Sequence, residues 1–153
     1  MSHTKKHRAA ALILAALCLT ALCGCQLQPT QSNKAFFWED LSKTQEIQVI
    51  PGGAGEASWA ITGEAELEAF VADLELEQWQ LASPPEGAAL SGAFCLTQLE
   101  SLKLGQKAED RQKVEICTLL TYEDLPYLTV ETAGLQFHFR ISPEAQAHLE
   151  EYL

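Results

Sequence analysis

The chain has 153 residues, 47% of them hydrophobic, with 10 Lys and Arg against 21 Asp and Glu. All 21 acidic residues but only seven of the basic ones follow residue 25, so that part of the chain has a formal charge of −14 (7 − 21). Like-charge repulsion makes this composition unsuited to binding nucleic acid or anionic lipid headgroups. We expect a solvated acidic surface on a single domain, with a basic partner or divalent cations as the sharper alternative.

The first part of the chain has the pattern of an export signal. Lys5, Lys6 and Arg8 precede an uncharged run at 9–22, AAALILAALCLTAL. A helix of that length rises about 21 Å, which is less than the ~30 Å hydrocarbon core of a bilayer. A short apolar run behind a basic N-terminus is typical of a signal peptide, whose basic end stays in the cytoplasm.

The run closes on Leu22-Cys23-Gly24-Cys25, which resembles the lipobox of bacterial lipoproteins. In that motif an aliphatic residue and two small residues precede an obligatory cysteine. The resemblance implies that residues 1–24 are a signal peptide and that Cys25 receives a diacylglyceryl group with palmitate-type chains. Two acyl chains hold a protein stably on a leaflet, here the extracytoplasmic face of the cell membrane. A metal or redox role for Cys23-Gly24-Cys25 is the alternative, but no His or Cys lies nearby in the mature chain to complete a metal site.

Residues 26–34, QLQPTQSNK, are polar and predict that 25–34 is a lipidated tether leading into a domain at 35–153. Phe36, Phe37 and Trp38 follow directly. These aromatic side chains are candidate contacts for the membrane interface or for an envelope protein. The alternative is that they pack onto the core of the domain.

The domain begins with patterns for a hairpin and a helix. EIQVI at 46–50 and SWAIT at 58–62 alternate around a Gly-rich turn, which predicts two paired strands. A helix capped by Thr62 and ending near Glu77 follows. Its apolar residues recur at the i, i+3, i+4 and i+7 positions of one face: Leu67, Phe70, Val71 and Leu74.

After an extended piece at 78–81 and a loop at 82–90, the apolar period changes from 3.6 to 2. Four strands are predicted: 92–104 with a bulge around 98–100, 113–122, 127–132 and 135–141. Ser142 and Pro143 then begin a last helix as its cap and first residue. We predict the α+β class: an antiparallel sheet (hairpin plus meander) with amphipathic helices packed on one face, in two layers.

Two cysteines, Cys95 and Cys117, lie in the predicted sheet. A turn at 105–111 would place Cys95 opposite Thr121 and Cys117 opposite Leu99. The two thiols would then be about 13 Å apart along the ladder, beyond the ~7 Å Cα limit for a disulfide. We predict two thiols that behave as small core hydrophobes.

No catalytic constellation is evident in the sequence. His138 alternates outward on a predicted strand, His148 lies four residues from Glu144 on the last helix, and no nucleophile elbow, zinc helix or phosphate loop is present. We predict no catalytic residue, metal or cofactor, and a non-enzymatic envelope binding or accessory module. The alternative is an envelope hydrolase that uses one of four carboxylate pairs: Glu39-Asp40, Glu109-Asp110, Glu123-Asp124 or Glu150-Glu151.

Overall fold

The computed structural model describes Glu39, residues 41–52 and residues 55–153, which fall within one compact unit of the chain. In this part of the chain seven strands form one sheet, accompanied by two α-helices. The strands are β1 (Glu46–Pro51), β2 (Trp59–Ile61), β3 (Gln80–Leu81), β4 (Leu90–Leu99), β5 (Lys113–Tyr122), β6 (Leu125–Thr132) and β7 (Leu135–Arg140). The helices are α1 (Glu64–Asp73) and α2 (Pro143–Glu150).

The strand order across the sheet is β2-β1-β4-β5-β6-β7-β3, and all neighbouring strands are antiparallel. β1 and β2 form the predicted hairpin, and β4 to β7 form the predicted meander. β1 joins the two parts by pairing with β4, from Glu46 opposite Thr97 to Pro51 opposite Gly92. The predicted α+β class with an antiparallel sheet is therefore confirmed, and the sheet is open.

The core combines strand side chains with side chains of both helices. Ile47 lies opposite Leu96, and Leu96 lies opposite Cys117; directly opposed residues point to the same side of a sheet. The helices contribute Leu67, Phe70 and Val71 from α1, and Ala145 and Leu149 from α2. Burial of each large apolar side chain contributes about 1.5–3 kcal/mol to folding, so this cluster is the main source of stability.

The two α-helices begin differently. Gly63, rather than the predicted Thr62, is the N-cap of α1, and it makes no side-chain capping bond. α2 begins as predicted: the Ser142 hydroxyl accepts a hydrogen bond from the backbone N–H of Ala145 at 3.0 Å, and Pro143 is the first helical residue. Such a cap satisfies a donor that would otherwise lack a partner at the helix start. The N-terminus of α2 is therefore better defined than that of α1.

α1 ends at Asp73, four residues earlier than predicted. Glu75 adopts a left-handed conformation (φ 48°), and a 3₁₀ turn follows at Leu76–Gln78. This reversal lets the buried indole of Trp79 donate a hydrogen bond to the carbonyl oxygen of Leu74 at 2.7 Å. The chain thus satisfies a carbonyl at the helix end and buries the indole, which a continued helix would not do.

β4 (Leu90–Leu99) starts and ends earlier than the predicted strand 92–104. The predicted bulge at 98–100 is also misplaced, because a register shift in the pairing with β5 lies between Leu96 and Thr97. A shift of this kind inserts an extra residue on one strand and changes all pairings beyond it.

The register places the two cysteines differently from the prediction. Cys95 lies opposite Thr118, and Cys117 lies opposite Leu96, so the predicted pairing of Cys95 with Thr121 is wrong. The cysteines are therefore close along the ladder rather than four positions apart. The assumed turn length and the misplaced bulge together account for the error.

The absence of a disulfide between these cysteines is confirmed, but for a different physical reason. Neighbouring positions of a ladder point to opposite sides of the sheet, and thiols that point apart cannot be bridged. Cys117 is a core residue, as predicted, with 2% of its surface exposed. Cys95 is half-buried on the other side of the sheet and is not a core residue.

We predict that the two thiols react at different rates. Burial and the nearby Glu115 carboxylate raise the pKa of the Cys95 thiol, so it reacts slowly in the folded protein. Cys117 should react only when the protein unfolds. Alkylation in native buffer and in denaturant, located by peptide mass mapping, measures both rates; equal native rates, or a Cys95–Cys117 disulfide in unreduced protein, would contradict the register.

Candidate functional site

A groove with a volume of about 780 Å³ lies between residues 41–45, α1 and the end of β4. Its apolar lining includes Leu41, Leu67 and Val71, all of which are buried. This volume lies within the range of small-molecule sites, which combine an apolar lining with a few polar groups.

Backbone and side-chain hydrogen bonds hold one wall of the groove in place. The N–H of Gln45 donates to the carbonyl oxygen of Thr97 at 2.9 Å, and the N–H of Leu99 donates to the side-chain oxygen of Gln45 at 3.0 Å. The N–H of Thr44 donates to the carbonyl oxygen of Leu41 at 3.1 Å. The segment that precedes β1 is thereby fixed against β4.

The Thr44 hydroxyl is the unusual group in this groove. Thr44 is 9% exposed and lines the groove, and its Oγ1 has no hydrogen-bond partner. Leaving a buried hydroxyl unsatisfied costs about 1–3 kcal/mol. The oxygen itself has less than 1 Å² of exposed surface, so it lies behind the lining of the groove rather than on it.

Charged side chains of both signs lie around the groove. Glu64 and Glu68 come from α1, and Lys43 comes from the opposite wall. The Lys43 ammonium group also lies 3.2 Å from the carboxylate of Glu39. The groove is therefore suited to an amphipathic ligand that has apolar and polar parts.

A second polar arrangement lies on the other side of the sheet. Thr129 Oγ1 is 2.7 Å from the hydroxyl of Tyr122 and 2.7 Å from Nδ1 of His138. His138 lies on this outward side as its alternation predicts, but its ring is half-buried and hydrogen-bonded rather than an exposed polar group. Thr129 is only 1% exposed, so a substrate cannot reach its hydroxyl, and the network satisfies the polar atoms of this face.

The predicted carboxylate pairs do not converge on a cleft. Glu109-Asp110 lies in a 3₁₀ turn, Glu123-Asp124 in the β5–β6 turn and Glu150-Glu151 at the end of α2. None of these three pairs lines the groove. Asp40 of the fourth pair lies outside the described residues. His148, expected beside Glu144, instead has Nε2 at 3.1 Å from the Asp73 carboxylate, without hydrogen-bond geometry.

The surroundings lower the pKa of two glutamates. The hydrogen bond from Lys113 lowers the pKa of Glu46, and Gln48 adds a second hydrogen bond. Hydrogen bonds from Gln106 and Lys103 lower the pKa of Glu100. A general acid at neutral pH needs a raised pKa instead, so neither glutamate is suited to that role.

Several predicted site residues lie outside the part of the chain that the structure describes: Leu22, Cys23, Gly24, Cys25, Phe36, Phe37 and Trp38. Within the described part, no helix is both long and apolar enough to cross a bilayer. Across residues 41–52 and 55–153, no group of three His, Cys, Asp or Glu side chains is arranged to hold a metal ion. No sequence pattern points to Thr44, since its polar segment has no periodicity.

We expect opposite effects from two threonine-to-valine changes of similar shape. Thr129→Val removes the hydroxyl that serves Tyr122 and His138, and should lower the free energy of unfolding by about 1–3 kcal/mol. Thr44→Val removes a buried hydroxyl without a partner and should raise it by about 1 kcal/mol. Urea unfolding midpoints test both; an equal loss in Thr44→Val would show that the Thr44 hydroxyl has a partner in solution.

The stability contributed by Glu46 should depend on pH. Because its pKa is lowered in the folded protein, this contribution is present above the ordinary glutamate pKa and is lost as the pH falls through the folded value. Glu46→Gln should therefore be less stable than the parent at pH 7, with the difference shrinking below about pH 4. Lys113→Gln is the matched control, since it should remove most of the same pH dependence. If the free energy of unfolding changes with pH in both variants as it does in the parent, the stabilising pair of Glu46 and Lys113 is contradicted.

Comparisons with known proteins assign no function to these features. No family model, curated protein or solved structure matches the chain. The groove beside Thr44 is the strongest candidate site in the described residues, because it joins an apolar lining to charged side chains of both signs.

Proposed function

We propose that the chain is a bacterial lipoprotein, anchored through Cys25 to the extracytoplasmic face of the cell membrane. The observation that carries this proposal is the order of its first 25 residues: a basic cluster, a short uncharged run and Leu22-Cys23-Gly24-Cys25. Residues 1–24 then act as the signal peptide, 25–34 as the lipidated tether and 35–153 as a single domain. Two buried acyl chains at ~0.8 kcal/mol per methylene are enough for stable anchoring.

The domain, in this proposal, is a two-layer structure with amphipathic helices on one face of the sheet. The contacts of both helices with the core support it. The ring centroids of Phe70 on α1 and Phe94 on β4 are 5.2 Å apart, and Leu149 of α2 is 1% exposed. The opposite face of the sheet, which carries Cys95 and His138, would have no helix packed on it.

The domain's task in this proposal is non-enzymatic binding. The groove beside Thr44 supports it, since the groove offers apolar surface and charged side chains of both signs to one ligand. Phe36, Phe37 and Trp38 are the proposed contact for an envelope-protein partner. Trp38 lies three residues before Leu41, which lines the groove, so a partner at the aromatic residues would be close to it.

The hydrolase alternative has less support. Hydrolysis by two carboxylates needs them to converge on a substrate cleft, with environments that push their pKa values apart. Glu64 and Glu68 are the carboxylates that line the groove, and both are exposed. No observation in the described residues favours this chemistry over binding.

The anchor is tested by Cys25→Ser in the full chain. We expect loss of radiolabelled palmitate from the protein and its release from the membrane fraction, because serine has no thiol to form the thioether. Fractionation after a high-salt wash measures the release, and circular dichroism of the released protein should show the parent fold.

Cys23→Ser is the matched control, since it makes the same change two residues away, at a residue that is removed when the signal peptide is cleaved. It should leave both labelling and membrane association at the level of the parent. Membrane association of Cys25→Ser after the salt wash would overturn the anchor.

A further inference from the structure

The loop that joins β4 to β5 (residues 100–112, the β4–β5 loop) holds two apolar side chains in water. Leu102 is 56% exposed and Leu104 is fully exposed. Leucines with this exposure lie on either side of Lys103, so the loop displays a Leu-Lys-Leu sequence at its surface. Exposed leucines are unremarkable singly, but a pair at one loop tip forms an apolar patch that a partner or a lipid surface can cover.

The β4–β5 loop is also braced by its own hydrogen bonds. Gln106 Nε2 donates to the Glu100 carboxylate at 2.7 Å and to the carbonyl oxygen of Asp110 at 3.2 Å. The N–H of Lys103 donates to the side-chain oxygen of Gln106 at 3.1 Å. Since one side chain ties both halves of the loop together, the leucines are presented from a fixed support, which lowers the entropy lost on binding.

The charge of this region differs from that of the rest of the domain. Four of the seven basic residues that follow Cys25 lie here: Lys103, Lys107, Arg111 and Lys113. The β4–β5 loop itself holds three of these basic residues and three acidic ones, so its formal charge is 0 (3 − 3), whereas the rest of the chain after residue 25 has four basic and 18 acidic residues, a charge of −14 (4 − 18). Lys103 and Lys107 pair with Glu100 and Glu109 at 2.9 and 3.4 Å, but both ammonium groups remain largely exposed and accessible to phosphate.

The β4–β5 loop lies at the same end of the sheet as the segment by which the chain enters the domain. Gln45 bonds to Leu99 at the end of β4, and the Lys113 ammonium group at the start of β5 pairs with Glu46. Leu41 lies sixteen residues after Cys25, a stretch that spans about 55 Å at most. A chain anchored at Cys25 would therefore have this end of its sheet within reach of the membrane.

We propose that the β4–β5 loop rests on the membrane, with Leu102 and Leu104 in the headgroup region and the neighbouring basic side chains on anionic phosphates. The proposal rests on the lipid anchor at Cys25, which supplies the proximity. Apolar insertion and attraction to anionic lipid act together in such contacts. The acidic surface elsewhere is repelled by the same lipids, so the loop sets the orientation of the domain.

The test uses the full chain, lipidated in a bacterial host and reconstituted into vesicles of phosphatidylcholine and phosphatidylglycerol. Leu104→Cys is labelled with bimane in a Cys95→Ser background, and brominated lipids quench the bimane at shallow depth. Leu81→Cys is the matched control, because Leu81 is 65% exposed and lies at the opposite end of the sheet. We expect quenching at position 104 to exceed that at 81 by roughly twofold or more, and to fall when phosphatidylglycerol is omitted.

The outcomes separate this proposal from the anchor. Equal quenching at 104 and 81 in protein that floats with the vesicles would overturn the loop contact and leave the anchor intact. A lipidated Cys25 has no free thiol to label. Bimane on Cys25, in protein that does not float with the vesicles, would therefore overturn both the anchor and the loop contact. A loop probe that stays in water but crosslinks to an envelope protein in cells would overturn the lipid contact in favour of a protein partner. Lys103→Glu combined with Lys107→Glu should reduce the quenching at 104 without changing flotation.

Discussion

The pairing of β1 with β4 is the contact on which the rest of the domain depends. It places Ile47 opposite Leu96 and Val49 opposite Phe94, and all four side chains are fully buried. Closing the intervening loop of about 45 residues costs about 3 kcal/mol plus a constant. Burial of side chains at about 1.5–3 kcal/mol each offsets that cost. Without this pairing the hairpin would be separate from the meander, and α1 would lack part of the core that it packs against.

Local patterns in the sequence predicted the elements whose boundaries are set locally. β5 coincides with the predicted strand 113–122, because its alternation is bounded by charged turns. α2 begins at Pro143 as predicted, because Ser142 and Pro143 are an N-terminal signal that needs no tertiary contact. The antiparallel meander followed from short connections between alternating strands.

Features that depend on distant residues were not predictable in the same way. The cysteine register failed because the shift between Leu96 and Thr97 has no signal in composition. The end of α1 failed because the indole of Trp79 returns to Leu74, which spacing alone does not show. The groove could not be predicted, since Thr44 becomes notable only when burial leaves its hydroxyl without a partner.

Three features meet at one end of the sheet: the entry of the chain, the groove beside Thr44 and the β4–β5 loop. Gln45 connects them, since it bonds to both Thr97 and Leu99 while its own segment forms a wall of the groove. A ligand in the groove would therefore touch the segment that leads back towards Cys25. In the anchored protein that we propose, binding and orientation would involve the same few residues.

The sheet ends on two very short strands, β2 with three residues and β3 with two. Short edge strands offer few unpaired backbone groups to a second sheet. Copies of a protein confined to one leaflet meet far more often than copies in three dimensions, and a long bare edge would let them join into ribbons. In the anchored protein that we propose, the brevity of β2 and β3 would therefore help copies on one leaflet to stay dispersed.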